Sequence, residues 1–579
     1  ANTTASNITA VGKFALKLNT TGTQNTAVGA LALDANTTAS FNTAIGYASL
    51  SENTTGSQNV AIGVLTLDAN TTGNSNVGIG VNCLTDNTTG DNNIGVGREA
   101  LFVNSTGASN VAVGYRSLQA NTTANNNTAV GTDTLKVNTT GANNVAVGSL
   151  ALDANTTGNK NVAIGKGSLS ANTTAHDNVA IGGEALLVNT TGTLGTAVGS
   201  NALAANTTGN SNTALGANSM LVNTTGQDNV AVGRATLDAN TTGSSNTAIG
   251  MQALSENTTA SNNTAVGRNA MLVNTTGTQN VAVGAFALED NTTANDNTAI
   301  GYTSLYKNTT GTSNTAVGLQ SLFSNLTGNQ NTAIGKDTLR DNTTAANNTA
   351  VGFNALLTNT TGTNNTAVGS LALDAATTTA NNTAIGYAAL GAHTGTQCVA
   401  VGSEALLVNT TGNNNTAVGH AALTDQTTGS NATAIGFAAG TNNTTGTITA
   451  LGSQALYSNV TGNNNTALGI SALYANTGDN NTAVGHACLT ANTTGTQNVA
   501  LGAFALDANT TASFNTIVGY NAGSTITTGA SNVAIGRAAL QTINTGSQNV
   551  AVGQSALANQ SGSTSNNTAV GYNSLGANQ

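Results

Sequence analysis

The chain has 579 residues, including 68 glycines but no proline or tryptophan, and only 6% of its side chains are charged and 3% aromatic. Thirteen basic residues against 23 acidic ones give a net charge of −10, with no basic stripe to neutralise phosphates, which argues against nucleic-acid binding. No apolar run reaches the roughly 18 residues of a membrane-spanning helix.

From Ile8 onward the chain repeats a 17-residue unit 34 times, as in NTAVGALALDANTTASF at 25–41. A fixed period this short is one coil of a solenoid, because a helix pair needs about 33 residues. The expected fold is all-β, a parallel β-solenoid (β-roll) of about 34 coils, continuous over 1–579 as a single array. In-register stacking at the strand spacing would give a rod of about 160 Å. Strict phasing of aliphatic residues separates this composition from a disordered, low-complexity tract.

In chain order within the unit, positions 1 to 5 (NTAVG or NVAIG) read as a strand. The β-branched residues at positions 2 and 4 share one face, and Ala at 3 and Gly at 5 share the other. The aliphatic residue at position 4 and the Leu at position 9 are expected to form the core ladder: Val28, Leu33, Ile45, Leu50, Ile62 and Leu67. The opposite face, Ala27, Gly29, Ala44, Gly46, Ala61 and Gly63, is small enough for close approach of another backbone. That backbone is either the far side of the same coil or a neighbouring chain. Position 6 carries intermittent aromatics, among them Tyr47, Tyr115, Tyr302 and Tyr387, which read as covering residues or as a sugar- or partner-binding column.

Positions 8 and 9, typically Ala-Leu, supply a second apolar anchor and, with a second short strand, complete the coil. Positions 12 to 15, Asn-Thr-Thr-Gly or Asn-Thr-Thr-Ala, carry turn chemistry. Stacked Asn amides can also ladder along the axis. Because Asn36, Asn53, Asn70, Asn104 and Asn121 each open an Asn-x-Thr acceptor on an expected surface turn, they are candidate glycosylation sites.

NTAVG, NVAIG and NTALG, each followed by a small residue and a turn, resemble the SVAIG-type repeats of trimeric autotransporter adhesin heads. The whole unit is also similar to repeat tracts in phage and bacterial tail-fibre-like proteins. The resemblance implies a left-handed parallel β-roll, assembly of three chains about one axis and a place on a bacterial surface.

Chemistry-bearing residues are scattered. Cys83 and Cys488 at position 8 and Cys398 at position 1 read as small-residue substitutions. His420 and His486 share position 6 but stand four coils apart, roughly 19 Å at the strand spacing, too far to share a metal. No catalytic site, metal or cofactor is expected. The sequence points to a structural subunit of an extracellular or cell-surface filament that self-assembles head to tail or as a lateral homo-oligomer such as a trimer. The phase-matched ends, Ala1 and Asn2 against Asn578 and Gln579, are the expected assembly contacts. Two further readings are the shaft or head of an adhesin or tail-fibre-like protein, for which glycans are candidate partners, and an ice-binding protein, which needs a regular TxT outward face.

Overall fold

The computed structural model describes residues 4–560 and 562–576. The expected assembly contacts at Ala1, Asn2, Asn578 and Gln579 lie outside them. The chain divides into two compact units, Ala1–Thr293 and Ala294–Gln579. The first holds strands β1 (Thr9–Val11) to β17 (Val281–Val283), and the second holds β18 (Thr298–Ile300) to β34 (Thr568–Val570). Every described element is a short strand, and no helix occurs among the described residues. Each unit is a parallel β-solenoid with one coil per repeat.

Within each unit, successive strands pair parallel and in register. Thr26, Ala27 and Val28 of β2 (Thr26–Val28) lie beside Thr43, Ala44 and Ile45 of β3 (Thr43–Ile45). In the second unit, β19 (Thr315–Val317) and β20 (Thr332–Ile334) repeat the arrangement. Identical positions therefore stack in columns along each unit.

The core does not lie where apolarity alone places it. Ala27, Ala44 and Ala61 at position 3 are 0% exposed, whereas Ile45 and Ile62 at position 4 are 39% and 37% exposed. Val28, Ile45 and Ile62 therefore leave the predicted core ladder and face outward. Leu33, Leu50 and Leu67 are fully buried. The reason is steric and periodic. The coil interior already holds the position-9 Leu and the Asn residues of positions 1 and 12, which leaves room for only a methyl at position 3. Strand alternation then sends positions 2 and 4 to solvent.

The close approach foreseen at the small residues is made by the chain's own next coil. A Cβ built on Gly29 or Gly46 would overlap the position-5 carbonyl one coil on, Gly46 or Gly63 respectively. Their φ angles of 142° and 141° also exclude other residues.

The second strand does not form. Positions 7 and 9 are left-handed, as at Ala48 and Leu50, both with φ 50°. That twist turns the adjacent Ser49 and Leu50 both inward, which an extended strand cannot do. The segment still bonds along the axis. Leu50 N–H donates to the Thr66 carbonyl at 3.0 Å, and Glu52 N–H to that of Asp68 at 2.9 Å. A third left-handed residue, Gln58 with φ 64°, closes the coil at position 17.

Interior volume is conserved even where the repeat fails. Gly440 replaces the position-9 Leu with the same left-handed backbone, and Ile448 fills the space, its Cδ1 2.8 Å from where a Cβ on Gly440 would stand. Gly523 is matched by Ile517 at position 3 and Ile526 at position 12, both fully buried. Each lost Leu is thus offset within a coil of the vacancy, as close packing requires.

Candidate functional surfaces

Two polar columns run inside the solenoid. The position-12 amides stack. Asn53 Nδ2 donates to Asn36 Oδ1 at 3.1 Å and to the Gly56 carbonyl at 2.9 Å. Asn70 repeats this to Asn53 and Gly73 at 2.8 and 3.0 Å. At position 1, Asn42 N–H donates to Asn25 Oδ1 at 3.0 Å, while Asn42 Nδ2 donates to Gly56 O at 2.9 Å. One carbonyl therefore collects both Asn columns of its coil. Buried amides satisfied this completely hold the register without an apolar side chain.

This overturns the glycosylation assignment. Asn36, Asn53, Asn70, Asn104 and Asn121 are 0% exposed. In each, the nitrogen that would carry the sugar already donates to two acceptors at 2.7–3.1 Å. Position 12 lies at the base of the turn, and its tip is the Thr pair that follows. Thr54 Oγ1, Thr54 N–H and Thr55 N–H all donate to the Thr71 carbonyl at 3.0, 3.0 and 3.2 Å, which explains Thr at position 13. The Thr side chains at position 14, such as Thr38, Thr55 and Thr72, face solvent.

The outward strand face carries a regular apolar stripe along each unit. Position 4 is Val, Ile or Leu in every coil, and many of these side chains are more than a third exposed, including Ile79, Leu215, Ile249, Ile300 and Leu468. Thr or Val at position 2 lies beside them, and exposed aromatics at position 6, such as Tyr47 at 53% and Tyr302 at 53%, border the stripe. Parallel stacking turns these side chains into continuous ladders.

Among the described residues, no group of three or more His, Cys, Asp or Glu is placed to hold a metal, and no helix is long and apolar enough to cross a membrane. The three cysteines are free and buried. Burial pushes the Cys83 and Cys488 thiols up to about 12, which suppresses the nucleophilic thiolate. At position 10, burial raises the Asp68 carboxyl to about 6. His393 stands in column 12, where most coils carry Asn. Its Nε2 lies 3.2 Å from Asn382 Oδ1, and burial drives it down to about 4. His420 stacks on Phe437 of the next coil, with centroids 5.6 Å apart.

No protein-family model and no curated protein matches the chain.

Proposed function

We propose that the chain is a structural subunit of an extracellular or cell-surface fibre, in which copies associate side by side through the outward strand face and extend by coil-on-coil stacking. The observation that carries this reading is the position-4 column: an aliphatic residue in every coil, held outside the core. A solvated strand face ordinarily alternates to polar residues, whereas contiguous exposed apolar area marks an interaction site. The solenoid core gives no reason to keep position 4 aliphatic, because position 3 and position 9 fill it. A second copy presenting the same stripe offers matched ladders at the same axial spacing, the self-complementarity that symmetric homo-oligomers use.

Analytical ultracentrifugation and electron microscopy of the purified chain test this. The expected result is a concentration-dependent assembly that reverts to single chains when Ile249, Val266 and Val283 are replaced by Lys, with the circular dichroism spectrum retained. Wild-type chains that stay monomeric at high concentration would overturn the proposal. Closed trimers without elongation would shift it to the shaft of an adhesin or tail-fibre-like protein.

A further inference from the structure

A shallow cleft of about 470 Å³ opens in the second unit around Gly391. Its neighbours in column 10, Asp374 and Leu407, carry side chains, and the missing one at Gly391 leaves a slot between them. Leu371, Leu407 and Val408 form apolar walls, and Tyr387, 52% exposed, stands at the rim. Asp374 Oδ1 lies 3.5 Å from where a Cβ on Gly391 would be, so the carboxylate faces the slot. The other half-buried acidic groups with charged neighbours are served from within the chain: Asp133 by Arg116 at 3.0 Å, Asp337 by Lys336 at 3.4 Å and Asp341 by Arg340 at 2.9 Å. Around Asp374 no such partner exists in the sequence. Between Arg340 and Arg537 there is no Lys or Arg, whereas Asp341, Asp374, Glu404, Asp425, Asp479 and Asp507 all fall in that stretch.

We propose that this cleft binds a lysine side chain presented by a basic partner protein, with the ammonium on Asp374, the four-carbon stem between Leu371 and Leu407, and Tyr387 over the cation. Each part of the lysine finds its chemical match. Its methylenes cover apolar surface while the head keeps a polar contact, an aromatic face attracts the cation, and the compact ammonium suits a single carboxylate better than a planar guanidinium does. The excess negative charge of this stretch steers a basic partner toward it. Burial raises the Asp374 carboxyl above its ordinary 3.8, so occupancy weakens as acid neutralises it.

The test titrates N-acetyl-lysine methylamide into the full chain by calorimetry and NMR. Saturable one-to-one binding in the low-millimolar range is expected. Gly391→Leu, whose new Cβ meets its neighbours at an ordinary 3.4–3.5 Å, fills the slot without disturbing the coil. Gly391→Leu and Asp374→Asn should each weaken binding by about tenfold or more, as should acetylation of the ligand's ammonium. Asp507→Asn, in the same column but outside the cleft, should leave it unchanged. Circular dichroism establishes that each variant is folded. No saturation at about 10 mM, equal binding of the acetylated ligand, or undiminished binding by folded Asp374→Asn would each overturn the assignment.

Discussion

In the first unit Asn occupies position 12 of every coil from Asn19 to Asn291, whereas in the second Ala376, His393, Gln426, Ile526, Ile543 and Gln560 interrupt the column. All four changes of coil length, at the coils beginning with Asn382, Ala432, Asn465 and Asn549, also fall in the second unit. Several interruptions leave a buried polar atom unpartnered. Asn359 Oδ1, facing Ala376, and Asn509 Oδ1, facing Ile526, have no hydrogen-bond partner, nor has Nδ1 of His393. Yet both units keep the same φ-positive Gly at position 5 and a filled interior at positions 3 and 9, with Ile517 at position 3 making up for Gly523 at position 9. The contrast separates what the coil cannot lose, its Gly corner and interior volume, from what it can lose locally, the polar ladder.

The first two predictions break the indispensable features inside the regular unit. Gly46→Ala places a methyl against the Gly63 carbonyl on a backbone of φ 141°, so two coils must separate. A loss of about 5 kcal/mol in chemical denaturation is expected, in the range reserved for combined strain and overpacking. Leu152→Gly opens a cavity in the first unit and should cost about 4 kcal/mol. Adding Ala146→Ile and Asn155→Ile copies the Ile517, Gly523 and Ile526 set into the same positions and should recover at least half of that loss. If the triple variant is no more stable than Leu152→Gly alone, the volume-compensation account fails.

The third prediction turns on charge. His393 has a folded-state value near 4 against an ordinary 6.5, so the unfolded chain binds the extra proton between those limits. Stability from the neutral imidazole is therefore complete above about 6.5 and is lost as the pH falls toward 4, by roughly 3 kcal/mol. Hydrogen exchange should show the coils around His393 opening over that window, and His393→Asn should abolish the effect. Asp68, raised to about 6 in the first unit, has the opposite sign. Its neutral form is favoured in the fold, so the coils around it lose protection as the pH rises through 6. Acid should thus loosen one place in the second unit while tightening one in the first.

Much of this was legible in the sequence, because a strict period fixes coil, register and column without any propensity argument. The parallel in-register stack follows from that period. The face assignment was not legible from apolarity, since Val and Ile read as more buried than Ala. A better signal lay in how the exceptions couple. Position 4 exchanges Val, Ile and Leu freely, as a column outside the packed interior does. Ile517 appears at position 3 only in the copy that also carries Gly523 and Ile526, as a packed interior demands. The position-12 Asn reads from the sequence both as an axial amide ladder and as a surface acceptor, and a signal in the sequence favours the ladder. Asn at positions 1 and 12 rarely exchanges with Asp or Ser, which a surface turn would tolerate and a two-acceptor amide ladder does not. The cleft at Gly391 depends on which side chains flank a missing one across three coils, and only the stacked columns display that.

The smallest expected effect is a repair. Ala376 sits between Asn359 and His393, and Thr379, at the position-15 site usually held by Gly or Ala, is buried with its Oγ1 unpartnered. A Cβ at position 15 stands close to the position-12 amide of its own coil, as at Gly362 beside Asn359 Oδ1, so the Thr379 side chain crowds the place of the missing amide. Ala376→Asn with Thr379→Gly restores the local pattern of the first unit, where the amide donates to the preceding Asn and to the position-15 carbonyl. It gives Asn359 Oδ1 its donor and removes the orphaned hydroxyl. A gain of about 1–2 kcal/mol is expected, the worth of relieving two unsatisfied buried groups less the entropy of ordering the new side chain. Ala376→Asn alone should gain less, because Thr379 still occupies the volume. Amide exchange in the coils from Asn359 to His393 reads both variants in the intact chain. If the single substitution stabilises as much as the double, Thr379 is no space-filler, and the polar ladder alone distinguishes the two units there.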